Sequence, residues 1–284
     1  AAHPGADGIF GNADDVVGSP GVPLNFVDGK YSWSDTFGMR PQMTRRKAQP
    51  AVDAAYPEIL FWDGRAEATL IDPVSGEMAM SSGAALENQA LRPLVDTTEM
   101  SAVGRTWPNI FARIAAAKPL GLAPAVPAAL AAWIGDRGYL ELFAEAFGTP
   151  EITAPRIAMA IGAYERTLYS DRAPFHQWIA QIRTMGPAEL RGHKEFIDGN
   201  CRLCHQGGLT GDHRFRNIAL RPEGGDEGRF EVSGDPVDLV AFKTPSLLNV
   251  AFRGPFMHNG RFATLEDVVE FYNRGGDFPA SNVQ

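Results

Sequence analysis

Cys201-Arg202-Leu203-Cys204-His205 is the stretch on which the reading of this chain turns. C-x-x-C-H is the attachment signature of c-type haem. On a helical turn, cysteines at i and i+3 share one side, so each can form a thioether to a vinyl group of the same porphyrin. The next residue, His205, then lies beneath the iron as its proximal ligand. Cys201 and Cys204 are the only cysteines in the sequence. A thioredoxin-type dithiol wants a βαβ context, which the pattern lacks, and has no need of the histidine. One covalent haem c is expected.

The 284 residues suffice for one or two domains with a sizeable core. No run of about 18 apolar residues occurs, so no membrane span is expected. The most alanine-rich stretch, 115–133, is interrupted by Lys118, Pro119, Pro124 and Pro127. The net charge of -8 argues against nucleic acid, whose binders carry basic patches. It suits an acidic face that steers a basic protein partner. The sequence opens at Ala1 without methionine or a charged-then-apolar leader and reads as processed or truncated. Haem c is attached outside the bacterial cytoplasmic membrane, which points to the periplasm or the cell surface.

Residues 1–56 are rich in Gly, Pro, Asp and Asn and read as loops. Asp7, Asn12, Asp14 and Asp15 could gather a cation, but turn-forming polar residues are the simpler reading. Helices are expected near 85–94, 105–117, 125–147 and 154–170. The last has Thr153 as N-cap, Pro155 in its first turn, and a stripe of Ile157, Ile161, Tyr164 and Leu168. Pro187 opens a helix, with Leu190 and Phe196 inward, that delivers the chain to the haem motif. Thr264 starts a final helix with Asp267 completing a capping box, and Gly275-Gly276 stops it. Leu265, Val268, Val269 and Tyr272 share one face of it. The fold is mostly α, with cytochrome-c-like haem domains and long loops.

The sixth iron position decides between chemistry and electron carriage. Met257, His258, Tyr272, His213 and His193 are the candidates. Each has an ordinary alternative: core filler for the methionine, a structural hydrogen bond for a histidine, a core tyrosine for Tyr272.

Several segments, in order, resemble the bacterial di-haem cytochrome c peroxidase and MauG superfamily. They are Phe61-Trp62-Asp63-Gly64-Arg65-Ala66, Leu86-Glu87-Asn88-Gln89-Ala90, Thr98-Glu99-Met100 and Arg166-Thr167-Leu168. The haem motif comes next, then Thr244-Pro245-Ser246-Leu247-Leu248-Asn249-Val250, Pro255-Phe256-Met257-His258-Asn259-Gly260 and Thr264-Leu265-Glu266-Asp267-Val268-Val269. The resemblance implies a two-domain di-haem architecture. Residues 1–180 would form a peroxidase-type domain and 181–284 a cytochrome-c-like domain.

In the peroxidases of this superfamily, the residue fourteen after the histidine of the P-[FY]-x-H-x-G turn is a methionine ligand. Here it is Tyr272, as in MauG-like members. The resemblance therefore implies a His205/Tyr272 haem of low potential. It also implies Glu99 as the acid–base of the peroxide pocket, Gln89 as a hydrogen-bonding pocket residue and Trp62 as the residue between two haems. A calcium ion is implied as well, held by an asparagine fifteen residues before the tryptophan and by backbone carbonyls, here Arg253 and Pro255. The asparagine position is Lys47, so either its ammonium takes the cation's place or the site is lost.

There are departures. The superfamily carries a second, N-terminal C-x-x-C-H, and this sequence has none. The opening His3-Pro4-Gly5-Ala6-Asp7-Gly8 resembles the residues just after that motif in close relatives, so a second haem is expected upstream of residue 1. The end at Gln284 also looks early. The leading expectation is a periplasmic oxidoreductase in which hydrogen peroxide generates a high-valent haem state that oxidises a partner-protein tryptophan, as in MauG and MbnH proteins. The 71–86 insertion resembles the latter. The alternatives are a cytochrome c peroxidase drawing electrons from a small cytochrome, or a mono-haem carrier if no second haem exists.

Overall fold

Apolar spacing and small residues set the helical frame. The computed structural model describes residues 2–4, 7–9, 16–221 and 225–284. Helix α1 (Ala85–Val95) buries Ala85, Leu86, Ala90 and Leu91. It packs against α5 (Ala154–Glu165), which offers Ala154, Ile157, Ala158 and Gly162. These small side chains allow close approach: a Cβ on Gly162 would lie 2.6 Å from Glu87 Oε1. Glu87 is buried in this contact and is neutralised by Arg166, whose guanidinium donates to both oxygens at 2.6 and 3.1 Å. A second cluster joins α2 (Trp107–Ala116) to α4 (Tyr139–Phe147) through Ile110, Phe143, Ile152 and Ile157.

Between these lies α3 (Ala128–Ile134). The expected 125–147 helix is thus two. Gly135, at φ +58, closes α3, and Gly138 opens α4, its N–H donating to Glu141 Oε2 at 3.0 Å. The 154–170 helix is also shorter than expected. Thr153 caps it as foreseen, but past Glu165 the chain tightens, and Asp53 N–H takes the Leu168 carbonyl out of any helical ladder. Ile157 and Ile161 of the expected stripe face the core, but Tyr164 is 66% exposed rather than inward.

Helix α6 (Pro174–Ile179) leads to α7 (Pro187–Asp198). Contrary to expectation, Leu190 is exposed, and only Phe196 is half-buried. The short helix α8 (Phe230–Ser233) precedes the final helix α9 (Leu265–Asn273). The Thr264 capping box is present: Asp267 N–H donates to Thr264 Oγ1 at 3.1 Å, and Asp267 Oδ2 accepts from the Thr264 N–H.

The strands among the described residues form short antiparallel pairs, with isolated bridges elsewhere, three of them parallel. The pairs are β1 (Ala2–His3) with β2 (Val16–Val17), β3 (Leu70–Ile71) with β4 (Met78–Met80), and β5 (Phe215–Arg216) with β6 (Phe242–Lys243). The β3–β4 hairpin forms part of the 71–86 insertion. Asp7 acts as a turn residue, accepting from Ile9 N–H at 2.8 Å. Asn12, Asp14 and Asp15 lie outside the described residues.

Candidate functional site

Helix α7 hands the chain to the motif through Asn200, at φ +61, which reverses direction before a 3-10 turn at Cys201–Leu203. His205 N–H donates to the Cys201 carbonyl at 3.0 Å, so the motif is the helical turn its spacing requires. Cys201 and Cys204 form no disulfide with each other. His205 is held by its Nδ1, 3.1 Å from the Thr210 carbonyl. Spending Nδ1 on a carbonyl fixes the tautomer and leaves Nε2 to serve a metal. Burial lowers the proton affinity of this ring, which keeps it neutral, the form that binds iron. The loop after His205 is fastened on two sides. Thr210 Oγ1 accepts from Leu247 N–H at 3.0 Å, and Arg216 clamps Asp212 at 2.7 and 2.9 Å.

Tyr272 lies on α9. Burial, reinforced by the nearby sulfurs of Cys204 and Cys201, pushes its hydroxyl up to about 12. Tyr272 thus lies in the electrostatic neighbourhood of the haem motif, although half of the residue's surface is open. Its neighbour Val269 is 67% exposed and Leu203, inside the motif, is 61% exposed. Large apolar side chains left uncovered around two thiols and a tethered histidine fit a flat apolar ring lying over them. Of the other ligand candidates, His258 is buried and stacked on Phe242 at 3.5 Å, and His193 lies edge-on to Trp178 at 4.9 Å. His213 has neither ring nitrogen hydrogen-bonded in good geometry, and Met257 sits at φ +70 in its turn.

Trp62 is held from three directions. Its Nε1–H donates to the Lys47 carbonyl at 2.8 Å, its carbonyl accepts from Lys243 N–H at 2.8 Å, and its ring meets His258 edge-on at 6.2 Å. Gly64, at φ +72, is obligatory here, because a Cβ would sit 2.4 Å from the Phe215 ring. Lys47 N–H donates to the His258 carbonyl at 2.6 Å, and its Nζ bonds the Arg253 carbonyl.

Glu99 comes after α1 on a loop pinned by close backbone contact: a Cβ on Gly21 would lie 1.7 Å from the Thr98 carbonyl oxygen. Burial and the Asp96 charge raise the Glu99 carboxyl, with Arg65 opposing. Arg65 also bonds Asp63, next to Trp62, so acid and indole belong to one charged neighbourhood. Gln89 is half-buried on α1.

Sequence reasoning missed the ionic knot behind this neighbourhood. Arg46, only 10% exposed, bonds Asp63, Asp226 and Glu231, and Arg229 donates to the Asp63 and Gly64 carbonyls. The Asp of Phe-Trp-Asp-Gly-Arg was a visible signal, but its partners lie 17 and more than 160 residues away.

Two cysteines on one helical turn and a histidine tethered through Nδ1 with Nε2 left for a metal are the donor set of a c-type haem centre, here in a mostly helical protein. A profile of the di-haem cytochrome c peroxidase family matches residues 24–184, and this chain belongs to that family. Methylamine utilization protein MauG of Methylorubrum extorquens is 31% identical over 256 residues, covering 86% of this chain and 61% of the relative. Cytochrome c551 peroxidase of Nitrosomonas europaea is 27% identical, covering 75% of this chain and 54% of the relative. A MauG-like protein associated with microbial copper homeostasis superimposes with a TM-score of 0.60 at 25% identity, covering 92% of this chain and 67% of that one. The chain thus spans less than two thirds of these curated relatives. No helix among the described residues is long and apolar enough to cross a membrane.

Proposed function

We propose that this chain is the haem-c-bearing part of a peroxide-using oxidoreductase that withdraws electrons at long range from a tryptophan of a partner protein, in the periplasm or at the cell surface. The observation that carries this reading is Tyr272, a tyrosine on α9 in the electrostatic neighbourhood of both cysteine sulfurs. A hard phenolate oxygen favours ferric and higher oxidation states, where a thioether favours ferrous iron. Haem bound here supplies one-electron chemistry at low potential.

The chain's residues divide the remaining work. Cys201 and Cys204 would anchor the porphyrin, and His205, through its free Nε2, and Tyr272 would be the residues that hold its iron. Glu99, with its raised proton affinity, takes a proton from peroxide and returns it to the leaving oxygen. Gln89 orients peroxide by hydrogen bonding, and Trp62 passes single electrons. This assignment needs a second haem beside Glu99, attached outside these 284 residues. At the calcium position we favour the Lys47 ammonium, which already occupies the Arg253 carbonyl. Pro255 then binds no ion, and calcium chelation leaves the melting temperature unchanged.

A second reading, a cytochrome c peroxidase fed by a small cytochrome, is favoured by the named peroxidases among the relatives. The full protein from its native host separates the two. The leading reading expects intact mass to show two haems, slow peroxide-driven oxidation of reduced cytochrome, and a persistent change in the haem spectrum. Rapid turnover would install the peroxidase reading. A single haem would leave Glu99 unserved and make the protein an electron carrier.

A further inference from the structure

Lys243 is anomalous on electrostatic grounds. It is 3% exposed in β6, whereas lysine is almost never buried without a partner of opposite charge. No carboxylate among the described residues pairs with it, and burial alone acts on its ammonium, lowering it to about 8. It stays charged at neutral pH. Its Nζ donates to the Ile59 carbonyl at 3.1 Å, while its peptide N–H donates to the Trp62 carbonyl at 2.8 Å. One residue therefore grips both ends of the turn that carries Trp62 and holds its ammonium at the Ile59 end of that turn, three residues before the indole. The indole Nε1–H faces the Lys47 carbonyl, which accepts a hydrogen bond but not a proton. An indole that loses an electron here must remain a cation, and a like charge in a low-dielectric surrounding opposes it.

We propose that Lys243 is a positioning residue whose ammonium keeps oxidising equivalents from settling on Trp62. The proposal rests on Trp62 being the electron relay. In the step concerned, one electron leaves the Trp62 ring for the peroxide-oxidised haem. No bond breaks and no proton leaves. The ammonium makes the resulting indole cation short-lived, so the ring conducts electrons without storing the hole and without exposing itself to oxidative damage.

The test uses flash photo-oxidation of the haem-loaded protein by a ruthenium polypyridyl complex with a sacrificial acceptor, read as tryptophan radical by electron paramagnetic resonance. Trp62→Phe identifies the part of the signal that belongs to Trp62. Lys243→Met removes the charge, and Lys243→Gln removes it while keeping an N–H donor for the Ile59 carbonyl. Lys243→Arg retains it. Deleting an unpaired buried charge is compatible with folding. The Trp62 signal should rise on the order of tenfold in the Met and Gln variants and stay at the wild-type level in the Arg variant. Equal Trp62 signal in all of these haem-loaded proteins, including none in any, overturns the proposal. Peroxide treatment of the same proteins tests the underlying reading separately. A photo-radical response without a peroxide response would keep Lys243 and sink the peroxide chemistry.

Discussion

At the scale of single residues, Tyr272 has the sharpest consequence. Half of its surface is open, yet burial, reinforced by the motif's sulfurs, holds its hydroxyl well above the usual phenol range. Removing only that oxygen, in Tyr272→Phe, should shift the visible haem spectrum and raise the reduction potential, because an anionic ligand that stabilises ferric iron is lost. Tyr272→Met should raise the potential further by supplying a soft ligand. An unchanged spectrum in the phenylalanine variant would remove Tyr272 from the iron. The helical turn of the C-x-x-C-H motif was legible in sequence, since the motif is contiguous and its geometry is local. The tether from His205 to Thr210 was not, because a backbone carbonyl leaves no mark in the side-chain pattern.

At the scale of elements, α9 shows how local chemistry places a functional group. Its start is set by Thr264 and Asp267, each accepting a hydrogen bond from the other's backbone N–H. Eight residues on, Tyr272 occupies the last turn. Thr264→Ala should lower stability by about 1 kcal/mol. It should also loosen Tyr272, seen as faster ligand exchange at the iron, whereas Thr264→Ser should restore both. Equal exchange rates in the alanine variant would separate the cap from the ligand. This cap was legible because it is a four-residue motif. The break at Gly135 was hidden because helix-forming residues on both sides of it, 128–134 and 139–147, keep helical composition, and the early end of α5 was hidden because it depends on Asp53, a hundred residues away. Glycine stops such as Gly135 and Gly275 are local, whereas the end of α5 is set by a tertiary partner that no local rule reveals.

At the scale of the molecule, residues far apart in sequence converge behind Trp62, and their protonation links the fold to pH. Arg46 holds Asp226 down to about 2, and burial holds His258 down to about 3. Both folded values lie below the ordinary ones, but the two groups act in different windows. For His258, the unfolded chain takes up a proton below about pH 6.5 while the folded chain does not, so stability falls as pH drops from there toward 3. For Asp226, the carboxylate stabilises the fold above its ordinary value near 4 and that contribution, about 2 kcal/mol, is lost as pH falls through about 2. The first losses on acidification should therefore come from the histidine, at up to about 1.4 kcal/mol per pH unit. Urea midpoints of the haem-loaded protein, measured from pH 7 to 5, should decline in the wild type. His258→Phe keeps an aromatic ring against Phe242 and removes both the titrating nitrogen and the unpartnered Nε2. Its midpoint should decline less steeply, with a shallow slope left by His213, whose proton affinity burial and Lys243 also lower. Identical slopes in the two proteins would mean that water or movement reaches His258 and that the packing behind Trp62 is looser than its burial implies.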